Sequence, residues 1–400
     1  MATTHGPRLA EHEPADFSLV VGGPLYDFYV RTHLEAPAVG FAHRRILAAL
    51  ALTWAPLWLL IAVDPRPITT VVSSLATDID GQVRFLIALP LLIAAEPVVH
   101  DRLTAVVRQF VTRGLISEHS MSRFAALVRS SRRLAGSTAL DVLALMLTVA
   151  GGKYLWDQQV TLRVDSWFGR MSDGVVHLTP AGWWFTLVSL PLFRFLLVRW
   201  YLRIIVVWYR FMWCVARLPL RLNALHPDRT GGLGFITMSA FAFIPVLLAQ
   251  TVQLAARIAQ LIWFQGTSLR SFERDIAAVM GVLLVLVFLP QTFFAVRLER
   301  TWRKGLSEYG LLACDYVDRF RQKWLGRHLS ASPSPLGTPD IQSLGDLGSA
   351  FDVMLGMTFV PISRSVVIRT AFVIALPLVP LAFTVIPLHD FLTHLIRLVI

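Results

Sequence analysis

Residues 276–296, IAAVMGVLLVLVFLPQTFFAV, run for twenty-one positions without a charged side chain. A bilayer core about 30 Å thick takes roughly 20 apolar residues of helix, because lipid offers no partner to an unpaired backbone group. The stretch therefore predicts a membrane span. Glu273 and Asp275 stand just before it and Arg297 and Arg300 just after, so its two ends differ in charge.

Working outward, six other stretches meet the same requirement: Ile46–Val63, Phe85–His100, Ala139–Trp156, Trp183–Trp200, Gly234–Leu254 and Ile368–Leu388. The second is the weakest by length, and a re-entrant course there would lower the count. Hydrophobic residues make up 55% of the 400 and charged residues 16%, with a mean hydropathy of +0.59. Soluble domains carry nearer a quarter of charged residues, so this apolar surplus needs lipid to face. The predicted fold class is all-α: a polytopic helical membrane bundle of about seven transmembrane helices over 46–400, after an N-terminal segment 1–45.

Loop charge sets the expected orientation. Arg102, Arg108, Arg113, Arg123, Arg129, Arg132 and Arg133 follow the second span. Arg203, Arg210, Arg217, Arg221 and Arg229 follow the fourth, and Arg297, Arg300, Arg303, Lys304, Arg319, Arg321 and Lys323 the sixth. The alternate loops carry the acids instead, with Asp64, Asp78, Asp80, Asp157, Asp165, Asp173 and Glu273. The positive-inside rule then puts the N-terminus in the cytoplasm and the C-terminus outside, in a bacterial inner membrane. No cleavable signal peptide is expected, since the first apolar stretch begins near Ile46.

The net charge of +11 follows from those basic loops, so nucleic acid is not an expected partner. The bilayer is, with anionic headgroups against the basic face formed by Arg199, Arg203, Arg210, Arg217 and Arg221. Cys214 and Cys314 form no Cys-x-x-Cys pair, and neither a disulfide nor structural zinc is expected. Gly151-Gly152 offers a small face for helix association, within the chain or in a homo-oligomer.

Two cytoplasmic insertions, 101–135 and 298–366, show helical periodicity. Leu103, Val106, Val107, Phe110 and Leu115 recur in the first; Leu306, Tyr309, Tyr316, Phe320 and Trp324 recur in the second. Such amphipathic helices lie along the headgroups or cap the bundle. Residues 330–338 read as a flexible linker, and the partial alternation within Gln158–Thr179 admits a short hairpin.

Several features inside the spans bear on function. Pro56, Pro90, Pro191, Pro245, Pro290, Pro377 and Pro380 interrupt six of the seven, and each frees a carbonyl and bends the axis. Gln250, Gln253, Arg257 and Gln260 share one face of the fifth span. That stripe faces partner helices or a wet cavity, or else the helix runs past the membrane there. Gln291, directly after Pro290, meets the stripe if the fifth and sixth spans are neighbours. Arg194 is the charge most clearly inside a span. It either snorkels to the headgroups or pairs with Glu96 of the second span.

Two cytoplasmic strings stand apart. His226-Pro227-Asp228-Arg229-Thr230-Gly231-Gly232-Leu233-Gly234-Phe235 either cradles an anion at a helix start or forms a tight turn. It matches neither a Walker A loop nor a Rossmann fingerprint. In 340–348, DIQSLGDLG, Asp346, with Asp352 beyond it, either pairs with Arg229, accepts a cation, or lies on a capped, solvated helix face. There is no His-Glu-x-x-His, no Gly-x-Ser-x-Gly and no Cys/His metal set, so no catalytic residue, metal ligand or cofactor is named.

Three strings, FSLVVGGPLYDF (17–28), HPDRTGGLGF (226–235) and DIQSLGDLGSAFDVM (340–354), resemble segments of a group of bacterial multi-pass inner-membrane proteins without an established activity. The resemblance extends over most of the chain and implies location and topology alone. The leading expectation is a transporter or channel-like protein lined by Gln250, Gln253, Arg257, Gln291, Arg194 and Glu96. The alternative is a membrane-embedded scaffold or sensor that binds a ligand or partner through His226, Asp228, Arg229, Gly231, Gly232 and Asp346.

Overall fold

The apolar stretches fold as helices, and those at 79–112, 234–265 and 269–324 run well past the thickness of a bilayer. A computed structural model describes residues 17–24, 26, 42–159, 166–172, 175–325 and 339–382. In chain order they form α1 (Ala42–Val63), α2 (Ile68–Ala76), α3 (Ile79–Thr112), α4 (Glu118–Ala135) and α5 (Thr138–Gln159). A hairpin of β1 (Gly169–Ser172) and β2 (Val175–Leu178) follows, with Gly169 opposite Leu178. Then come α6 (180–217), α7 (Gly234–Gln265), α8 (Leu269–Trp324), α9 (Asp340–Leu355) and α10 (Arg364–Ala382).

Five helices, α1, α3, α7, α8 and α10, are long and apolar enough to cross a membrane; α4 and α5, bent by 42°, make six if they count as one broken span. The sequence predicts about seven, and the difference lies in α6. The span predicted at Trp183–Trp200 is the first half of that helix. Here α6 carries Arg194, Arg199, Arg203, Arg210 and Arg217, and it buries Trp200, Ile204, Val207, Trp208, Phe211 and Met212. Its other side leaves Trp183, Leu187, Ile205 and Trp213 exposed, so the helix is part core and part apolar surface. Of the last predicted span, 383–388 lie outside the described residues, as do most of 1–45 and the linker 330–338.

Helix length explains the first predicted insertion. α3 has 34 residues, on the order of 50 Å at 1.5 Å per residue, so it outruns a 30 Å core. The periodic stretch after the second span is its continuation, and Leu103, Val106, Val107, Phe110 and Leu115 are buried. It caps the bundle by packing into it. Residues 298–324 likewise prolong α8, and α9 folds back on them: Tyr316 donates to the Asp340 carbonyl (3.0 Å) and Trp324 Nε1 to the Asp340 carboxylate (3.0 Å).

The prolines act locally. The Leu89 N–H reaches back five residues to Arg84 just before Pro90, and Leu190 to Phe185 just before Pro191. Both are π turns, where the ladder shifts by one residue beside a proline. Pro245 follows a 3-10 stretch, Gly234–Phe243, while Pro290 and Pro377 lie in the 3-10 turns Leu289–Phe294 and Leu376–Leu378. A third π turn, Arg203–Trp208 in α6, has no proline.

The two ends of the bundle differ. At one, the hairpin is fastened to the α1–α3 connection. Trp167 Nε1 donates to Asp78 (3.0 Å), and Asp64 pairs with both Arg66 and Arg170. The Arg66 guanidinium outweighs burial there and holds Asp64 down at about 2. We call this the hairpin end. The other, basic end holds the turns after α3 and α6 and the α8–α9 pair.

The N-terminal string is a plug in the basic end. Phe17, Leu19 and Val20 are fully buried, with Phe17 against Trp208 and Phe211. Thr104 donates to the Phe17 carbonyl (2.7 Å), and His100 Nδ1 lies 3.0 Å from Ser18 Oγ. Gly22 and Gly23 take φ of 104° and 97°. They press so closely on Gly136 that a Cβ added there would sit 3.0–3.1 Å from their backbone.

Candidate functional site

Three constellations collect the polar residues of the bundle. The first is an ionic cluster formed by helices α1, α3, α5 and α6. Glu96 pairs with Arg45 through one oxygen and with Arg199 (3.3 Å) through the other, and Arg199 Nε donates to Asp141 (2.9 Å). None of the four side chains is more than 10% exposed. Two acids and two bases leave it formally neutral, which is how charges survive in a dry interior. Two neighbouring polar groups are satisfied as well: Ser189 donates to the Thr53 carbonyl (2.7 Å) and Trp200 Nε1 to that of Leu92 (2.9 Å), while Asp141 Oδ2 has no partner among the described residues.

This cluster corrects one sequence expectation. Glu96 is paired, but not with Arg194. Arg194 instead rests where Gly152 of α5 leaves room, its Nη1 3.2 Å from the place a Cβ would take. Sequence reasoning missed Arg45 and Asp141 and set Arg199 on a basic face toward the headgroups, whereas Arg199 and Arg203 of that face are buried in the bundle. The signal is that Arg45, Asp141 and Arg199 each sit near the boundary of an apolar stretch, where a charge looks like a flank.

The second constellation is the α7 stripe, which faces α3 rather than a cavity. Gln253 Nε2 donates to the Asp80 carboxylate, itself paired with Arg84. Gln260 Oε1 accepts the Ile79 N–H (2.8 Å) at the start of α3. Arg257 is exposed. Two members of the predicted lining behave differently. Among the described residues, Gln250 Nε2 is buried without a hydrogen-bond partner, and Gln291 is wholly buried with both amide atoms unpartnered. The hydroxyls of Ser239 and Thr370 are likewise buried and unpartnered. These four lie on α7, α8 and α10, which pack against one another. Thr237 Oγ1 sets α7 and α10 in register by donating to the Pro361 carbonyl (2.6 Å). An unpaired buried amide or hydroxyl costs about 1–3 kcal/mol, so each such group calls for a partner that the described side chains do not supply.

The third constellation is the loop before α7. Asp228 accepts three backbone N–H groups, from Thr230 (2.8 Å), Gly232 (3.1 Å) and Gly234 (2.9 Å), and touches His226 Nδ1 at 2.8 Å. Burial pushes its carboxyl up, but those N–H groups outweigh it and hold it below the ordinary carboxylate range. Arg229 (φ 54°), Gly231 (65°) and Gly232 (97°) form a run of left-handed residues. The Arg229 carbonyl accepts the Thr358 N–H (2.8 Å), so the loop is stitched to the residues after α9. Asp346 and Asp352 are exposed, and among the described residues neither pairs with Arg229.

Compared with known proteins, the chain matches no family model, no curated protein and no solved structure.

Proposed function

We propose that this chain is a transporter or channel-like protein of a bacterial inner membrane, with the basic end in the cytoplasm, passing a small polar solute or ion between α7, α8 and α10. The observation that supports this reading is Gln291, which is 0% exposed and whose carboxamide has no hydrogen-bond partner among the described residues. It sits in the turn that Pro290 breaks out of the α8 ladder, between helices that also hold Ser239, Thr370 and Gln250 unpaired. A helix interior free of function replaces such groups with apolar ones, because nothing in lipid repays their desolvation.

The test is flux across proteoliposomes under an imposed potential, with potassium, protons, chloride and nitrate as probes and glycerol as an uncharged one. Flux in wild type that falls at least tenfold in Gln291→Leu supports the reading. Absence of flux for every probe, or flux indifferent to Gln291→Leu, defeats it.

A further inference from the structure

A pocket of about 350 Å³ opens in the basic end, lined by Arg113, Leu115, Arg221, Asn223, His226, Gly231 and Gly232. Its construction begins at the end of α3. Gly114 turns the chain with φ 65°, and the Leu115 carbonyl then accepts the Arg221 N–H (2.8 Å) beside an Ile116–Leu220 bridge. This short pairing of two connections sets Arg113 and Arg221, 108 positions apart, on one rim. The Arg113 guanidinium also lies 4.9 Å over the Phe235 ring, which orients the charged head itself.

The opposite wall is the Asp228 loop. With His226 Nδ1 at Asp228, the other ring nitrogen lies toward Gly232, 3.9 Å from the place a Cβ would take. Gly232 has no such Cβ, and its φ of 97° favours glycine there. No carboxylate lines the pocket: Asp228 is already bound by three N–H groups and the imidazole. Two arginines, an amide and an imidazole that already leans on Asp228 thus line one pocket, and among the described residues neither arginine has a carboxylate partner there. Paired arginines suit the planar, bidentate demand of a phosphate oxygen pair.

The site also lies near the edge of the apolar surface. Met238, Trp213 and Val296 are each 45–56% exposed. Just beyond them Arg217 stacks on Trp213 (4.4 Å), and Arg297 donates to the Ala216 and Arg217 carbonyls. We infer that this pocket binds a phosphate group, carried either by an anionic phospholipid headgroup or by a soluble phosphate monoester.

The experiment uses the full chain in nanodiscs and reads its melting temperature. One arm titrates inorganic phosphate and glycerol 3-phosphate against nanodiscs of phosphatidylcholine. A second replaces that lipid with phosphatidylglycerol and adds no soluble phosphate. Each arm is repeated with Arg113→Gln/Arg221→Gln and with Asn223→Asp, which adds a repelling carboxylate at an exposed position. Stabilisation in the first arm, with affinity at least tenfold weaker in both variants, supports the inference with a soluble ligand. Stabilisation in the second alone, again lost in both, supports it with a lipid. If neither arm stabilises wild type, or the variants respond as wild type does, the inference is overturned. The unliganded melting temperature of Asn223→Asp shows whether that variant is folded.

Discussion

Two polar interiors share this bundle, and they are built on opposite plans. Around Glu96 every charge has its counter-charge, and the neighbouring Ser189 and Trp200 have acceptors as well. Gln291, Ser239 and Thr370 are equally buried, and their side chains have no hydrogen-bond partner among the described residues. The first arrangement pairs its charges within the chain, with Asp141 Oδ2 left over, and reads as a fastening between α1, α3, α5 and α6. The second has neither charges nor partners of its own among the described residues. Polarity inside a membrane protein is therefore no guide to function until the partners are counted.

The contrast breaks if charge removal in the first interior is tolerated. Arg199→Leu strips Asp141 of its guanidinium and leaves Glu96 with Arg45 alone. Breaking a buried pair costs about 3–5 kcal/mol, and we expect the largest loss of thermal stability here, read by denaturation in detergent. The next effect is at the hairpin end. Asp64 is held at about 2, below its ordinary 3.8, so its contribution is present above about pH 4 and is lost as pH falls through about 2. Wild type should exceed Asp64→Asn by on the order of 1–2 kcal/mol at pH 6 and match it near pH 2; an unchanging gap contradicts the pairing. Gln253→Leu removes one bond from an Asp80 that keeps Arg84 and should cost about 1 kcal/mol. The smallest change is expected at Gln291→Leu. Removing an amide that has no partner among the described residues leaves stability within about 1 kcal/mol of wild type or raises it. A large loss would mean that Gln291 is a fastening too.

Much of the bundle is legible in sequence, because a bilayer constrains each span separately and the constraint shows as a local apolar run. The end of α3 and the length of α8 are less so, since a helix that leaves lipid continues without changing its period. Partners are illegible for a different reason. Arg194 and Arg199 both stand on α6, five positions apart, which is about 140° around the helix. Only one of them can face Glu96, and the choice depends on where α3 packs. The Gln250–Gln260 face is real as a face, but sequence cannot say that α3 rather than a cavity lies against it. Asp228 shows the reverse: its glycines mark left-handed turns correctly, while the pocket beside them also needs Arg113, which is remote in the chain.

The claim that the unpaired interior holds water or solute can be tested directly. In a Cys214→Ser/Cys314→Ser background, Gln291→Cys and Ser189→Cys are exposed to a small, water-soluble, membrane-impermeant thiol reagent in intact proteoliposomes. Both positions are 0% exposed, so packing alone would protect them equally. The account predicts that the thiol at 291 reacts and the one at 189 does not. An unreactive thiol at 291, in a chain that folds and melts as wild type does, would contradict it.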